Sequence, residues 1–101
     1  MINPEDVEIE NDIESSRFEL PINGHIAFID YKTNKAEKIF LTQVEIPLEL
    51  ENQGVEDVLV RKVLDYIKIK GKKLVPLSPD IVRFVQENEE YRIILASGLK
   101  V

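Results

Sequence analysis

KIFLTQVEIP, Lys38–Pro47, runs into ELENQGVED, Glu49–Asp57, and then into VLVRKVLDYIKIKG, Val58–Gly71. This stretch decides the fold. Ile39 and Leu41 alternate as in a strand, but Val44 and Ile46 continue the alternation one residue out of step. The slip predicts a strand from Glu37 to Ile46 with a kink or bulge near Gln43. Pro47 ends that strand. From Gly54 the apolar positions are Val55, Val58, Leu59, Val63, Leu64 and Ile67, whose spacings are helical. Glu56, Asp57, Arg61, Lys62, Asp65 and Lys68 fill the opposite face. A helix from Gly54 to Lys70 follows, with Gly71 as its C-terminal stop.

Upstream, RFELP (Arg17–Pro21) and HIAFIDY (His25–Tyr31) flank Ile22-Asn23-Gly24. Asn-Gly between two apolar runs signals a hairpin, because both residues tolerate positive φ. VEIE (Val7–Glu10) alternates as a first, edge strand, Asn11–Ser16 is turn-like, and the residues before Val7 are expected to fray. Downstream, KLVPL (Lys73–Leu77) reads as a buried strand. Ser78-Pro79 opens a second helix through Asn88, with Ile81, Val82, Phe84 and Val85 inward. YRIIL (Tyr91–Leu95) reads as a last strand or an extended segment on the sheet. The order predicts one α+β domain over residues 1–101, a mixed, mostly antiparallel sheet flanked by helices.

The composition narrows the function. The chain has 101 residues, no cysteine and one histidine, His25. Disulfides, thiolate chemistry and a multi-histidine metal site are thereby excluded, and no metal site is expected. The net charge of -6 opposes a nucleic-acid function, which needs clustered cations. No apolar run reaches the roughly 20 residues that span a bilayer. The acidic N-terminus lacks the basic and apolar regions of a signal peptide, so a cytoplasmic protein is expected. The sequence also allows a homodimer.

LTQVEIPLELENQGVEDVLVRKVLDYIKIKGKKLVPLSPDIVRFVQENEEY, Leu41–Tyr91, resembles the small, single-domain acetyltransferases of the GNAT superfamily. Those proteins read approximately L-T-H-T-E-V-P-x-E-L-x-G-x-G-I, then an amphipathic helix, then K-x-x-P-x-C-x-F-V and a helix ending near P-E-Y. RFELPINGHIAFIDY resembles their upstream hairpin, and the likeness spans Val7–Leu95. It implies acetyl-CoA as cosubstrate and an amine as acceptor, whose identity it leaves open. The pantetheine arm would lie beside the strand carrying Val44 to Ile46. The pyrophosphate would sit on backbone N–H groups of Asn52, Gln53, Gly54, Val55, Glu56 and Asp57. Where the family pattern has histidine, threonine, cysteine and glycine, this chain has Gln43, Val44, Ser78 and Asn52.

Each position has two readings. Gln43 can orient a substrate or a thioester carbonyl, or satisfy an edge-strand backbone group. Ser78 can stand in for the thiol, or cap the second helix with Pro79 as first helical residue. The Asn52–Asp57 turn can hold a pyrophosphate on its amides, or be a capped helix start with Asn52 or Gln53 as N-cap. Glu45, Glu49, Glu51, Glu56 and Asp57 crowd that turn without a Lys or Arg. Two like charges about 6 Å apart cost roughly 0.7 kcal/mol in water and near 3 at an effective dielectric of about 20. The acidic surface would favour a cationic amine such as a polyamine or a lysine side chain. His25, at a hairpin, reads as solvated, and Tyr66 and Tyr91 as too distant or as packing groups. The chain is thus expected to be an acetyl-CoA-dependent N-acetyltransferase, or a degenerate relative serving as an interaction module.

Overall fold

Three antiparallel pairings start the sheet, and one parallel strand finishes it. The computed structural model describes residues 2–101. The strands are β1 (Glu10–Asp12), β2 (Arg17–Ile22), β3 (His25–Thr33), β4 (Lys38–Glu45) and β5 (Lys73–Pro76). They lie side by side in chain order. All neighbours are antiparallel except β4 and β5. A parallel pair needs a long crossover, here helix α1 (Val55–Ile69). Helix α2 (Pro79–Glu87) follows β5. The domain is therefore α+β with a mixed, mostly antiparallel sheet.

Asn23 and Gly24 turn β2 into β3 with φ of 51° and 78°, the pair of positive values a two-residue hairpin turn requires. The slip in β4 is a bulge. Asp30 pairs with Gln43 and Tyr31 with Leu41, so Thr42 is the extra residue. Its hydroxyl donates to the Asp30 carbonyl at 3.2 Å.

Phe18, Leu20, Ile22, Ala27, Ile29, Tyr31, Ile39, Leu41 and Leu74 share one face of the sheet. They form a single core with Val55, Val58, Leu59, Val63, Leu64 and Ile67 of α1 and Ile81, Phe84 and Val85 of α2. Val60 joins them, although its spacing did not mark it, and Val82 is only half-buried. The core thus builds a helix layer on one side of the sheet, not on both. Burying such side chains contributes about 1.5–3 kcal/mol each.

Two strands differ from expectation. The edge strand is Glu10–Asp12 and not Val7–Glu10. Asn11 sets its register: it lies opposite Phe18, accepts the Tyr31 hydroxyl at 2.7 Å and donates to the Tyr66 oxygen at 3.4 Å. Val7 and Ile9 pack on the core from outside the ladder. Tyr91–Leu95 is not a strand; Glu89–Ile94 is a 3₁₀ turn, and Leu95 alone bridges to Leu74. Tyr91 and Ile94 are buried while Ile93 is 71 % exposed. That three-residue spacing suits a 3₁₀ turn, in which i and i+3 eclipse, and defeats a strand's alternation. The N-terminal residues Pro4–Asp6, expected to fray, form a 3₁₀ turn against α1. Arg61 pairs with the Glu5 carboxylate, and Lys62 donates to the Glu5 carbonyl at 2.9 Å.

Candidate functional site

The pairing of β4 with β5 ends at Leu41 and Pro76. Beyond it, the amides of Leu77 and Ser78 both donate to the Leu41 carbonyl, at 3.0 and 3.2 Å. The chain then turns away into α2. Among the described residues, no strand therefore lies beside Thr42 to Ile46 on the β5 side. A free strand edge offers unpaired backbone N–H and C=O groups to an extended ligand.

Past that edge, Leu48–Leu50 makes a 3₁₀ turn and plugs Leu50 into the core. Asn52 and Gly54 both take the left-handed conformation, with φ of 60° and 75°. Gly54 is the N-cap of α1, with no side-chain cap. This corrects the expected cap at Asn52 or Gln53: the positive φ directly before the helix favours glycine. The Gln53 side-chain Nε2 instead donates to the Glu49 carbonyl at 2.9 Å. The first intrahelical bond runs from the Val58 amide to the Gly54 carbonyl. The amides from Gly54 to Asp57 are the unsatisfied donors of the helix start.

A cavity of about 380 Å³ opens at this point, lined by Ile46, Asn52, Gly54, Val55, Glu56 and Asp57 together with Leu50 and Glu51. Of the residues named for cofactor binding, Val44 and Gln53 stay outside the lining. Val44 is half-buried against the core. Leu50 and Glu51 were not named for cofactor binding, although both lie in the stretch that carries the resemblance and Glu51 is one of the carboxylates of the turn.

The electrostatics oppose an anion. Glu51, Glu56 and Asp57 line the cavity. Burial raises the Glu56 pKa above its ordinary value, and Asp80 and Asp57 add to the rise. Arg83, on α2, works the other way, 4.0 Å from Glu56 and 2.6 Å from Asp80. No spacing in the sequence ties Arg83 to this turn; only the packing of α2 beside the start of α1 brings it there.

Gln43 and Ser78 both lie near Leu41, but each is engaged elsewhere. Gln43 is exposed, faces away from the helices in the row of Asp30, and donates to Glu45 at 3.2 Å. Ser78 is 5 % exposed, and its oxygen accepts the Asp80 amide at 3.3 Å. It is the N-cap of α2, with Pro79 following, and among the described residues its oxygen is bonded to the Asp80 amide and to no base that would make it a nucleophile. His25 sits 3.9 Å from Glu49, a loose contact in solvent. Tyr31 is tied to Asn11, and Tyr91 donates to Asp65 at 2.7 Å. Burial and the Asp65 bond push Tyr91 up to about 12. The arrangement can hold an extended chain on the β4 edge and a headgroup at the helix start. Chemistry there would come from positioning rather than from an activated side chain.

A family model described as GCN5-related N-acetyl-transferase matches residues 17–94, from the first residue of β2 to the last of the 3₁₀ turn after α2. None of the curated proteins compared with the chain matches it.

Proposed function

The chain belongs to the GCN5-related N-acetyltransferases, and we propose that it transfers the acetyl group of acetyl-CoA to an amine. The observation that carries this reading is the junction of the free β4 edge with the cavity at the uncapped start of α1. In this reading the backbone of Val44–Ile46 takes the pantetheine arm. The amides from Gly54 to Asp57 take the pyrophosphate, with Asn52 shaping the turn. Acetyl-CoA supplies the activated carbonyl. The amine nitrogen forms the new C–N bond, the C–S bond breaks, and the thiolate receives the proton that the amine loses.

The protein's share is to hold the two partners together, which supplies much of the acceleration in such reactions. Gln43 orients the acceptor or the carbonyl through its amide. Ser78 holds α2 in place and leaves the β4 edge open. With no base beside the reacting atoms, the acceptor enters as the free amine, so turnover rises with pH as the amine deprotonates. Glu45 and Asp30, on the same face as Gln43, favour an acceptor that carries a second, cationic group, as a polyamine does.

A second reading rests on the carboxylates of the cavity. Glu51, Glu56 and Asp57 oppose a pyrophosphate, and the protein is then an interaction module on the same scaffold. Incubation with acetyl-CoA and a polyamine separates the two. Acetyl transfer predicts release of free thiol together with a mass gain of one acetyl group on the amine. Absence of both, from folded protein that also fails to bind acetyl-CoA, supports the module.

A further inference from the structure

The face of the sheet turned away from the helices carries apolar side chains among charged ones. Among the described residues the core lies on the helix side. On the other side Ile26 is 46 % exposed, and Phe28, Phe40 and Val75 are half-buried. The Arg17 guanidinium lies 3.6 Å from the centre of the Phe28 ring and pairs with Asp30 at 2.9 Å.

The ladder registers arrange the charges of this face in rows across the strands. One row holds Glu10, Glu19, Phe28 and Glu45. The next holds Asp12, Arg17, Asp30 and Gln43. Then come Lys32, Phe40 and Val75, and last Lys38 and Lys73. The face is therefore acidic at one end of the strands and basic at the other, with an aromatic residue in each half. Its charges nearly balance, whereas the chain as a whole carries -6.

We propose that this face pairs with the same face of a second copy of the chain. The two-fold axis lies in the interface, across the strands, between the Arg17–Gln43 row and the Lys32–Val75 row. That rotation reverses the strand direction and sets the Glu19–Glu45 row of one copy over the lysine rows of the other. It also brings Phe28 of each copy toward Phe40 of its partner. An axis along the strands would stack glutamate on glutamate and lysine on lysine, so charge selects the first arrangement. A symmetric interface needs a self-complementary patch, and this face becomes one under that single operation. Two sheets stacked in this way lie about 10 Å apart, close enough for the facing side chains to interdigitate. The pairing does not depend on acetyl transfer. It does cover Gln43, so a second copy and an amine approaching Gln43 compete for this face.

Sedimentation equilibrium of the full chain tests the pairing. A dimer is expected at low ionic strength, weakening as salt screens the charges. Lys32→Glu with Lys38→Glu makes the face strongly net acidic, with Arg17 and Lys73 left as cations, and Glu19→Lys with Glu45→Lys makes it net basic, with Glu10, Asp12 and Asp30 left as anions. Each double variant should sediment as a monomer alone, and an equimolar mixture of the two should form the dimer again. A wild-type chain that stays monomeric up to millimolar concentration overturns the proposal. So do variants that dimerise as the wild type does, or a mixture that remains monomeric. Where a variant fails to fold by circular dichroism, hydroxyl-radical labelling of wild-type Phe28 and Phe40 decides. Protection that grows with protein concentration supports the pairing, and labelling that does not change overturns it.

Discussion

Glu56 is the residue on which the anion chemistry of the cavity turns. It lines the cavity, and its pKa lies above the ordinary glutamate value, first through burial and then through Asp80 and Asp57. Its negative charge is therefore lost earlier, as pH falls, than at the ordinary glutamate value. Acetyl-CoA affinity should rise as pH drops through that range, and Glu56→Gln should raise affinity at neutral pH and flatten the dependence. A several-fold gain corresponds to about 1 kcal/mol, the scale of one screened like-charge contact. Titration of both proteins at two pH values checks this; equal slopes would contradict it. Tyr91 tests a different linkage. Its pKa is pushed up to about 12 by burial first and by Asp65 next, against roughly 10 in an unfolded chain. The folded state thus holds this proton where the unfolded state has lost it. The contribution of Tyr91 is complete below the unfolded value and disappears as pH rises through the folded one. Tyr91→Phe should reduce stability by about 0.5–1.5 kcal/mol near neutral pH through the lost hydrogen bond. It should also remove one component of alkaline unfolding, seen in thermal melts between pH 9 and 12 as a shallower decline.

At the level of elements, the two helix starts are built differently. Ser78 caps α2 with its side chain, while Gly54 opens α1 by conformation alone. Ser78→Ala should cost about 1 kcal/mol. Gly54→Ala should cost about 1–2 kcal/mol from its left-handed backbone, since open space surrounds the position of a new Cβ. Denaturant melts measure both. Only Gly54→Ala should also weaken acetyl-CoA binding, because it alone reshapes the amides at the cavity; equal binding losses in the two variants would contradict that. The elements were legible in the sequence wherever a period ran long enough. The apolar stripe of α1, the Asn-Gly hairpin and the slip near Gln43 each followed from spacing. The edge strand and the last segment were not legible. The register of β1 depends on Asn11 reaching Tyr31 and Tyr66, which are distant in sequence. The fate of Tyr91–Leu95 depends on which side chains the core accepts. The site was legible as a turn carrying carboxylates. Arg83 was not, because a cation's place beside Glu56 is set by how two helices pack.

For the molecule as a whole, charge is segregated. The cavity end carries Glu45, Glu49, Glu51, Glu56 and Asp57. The other end carries lysines around two turns that touch, where the Lys73 amide donates to the Glu37 carbonyl and Lys72 lies 3.6 Å from Glu37. Among the described residues no helix is long and apolar enough to cross a membrane. In the proposed reading, the acidic end would favour a cationic acceptor and oppose the anionic end of acetyl-CoA. Cosubstrate affinity is accordingly expected to be weak and to depend on the cavity carboxylates. Calorimetric titration of acetyl-CoA into the wild-type chain and into Glu56→Gln is the most direct test. Saturable heat in both, with tighter binding in Glu56→Gln, is the predicted result. No heat from either protein at millimolar acetyl-CoA would contradict it.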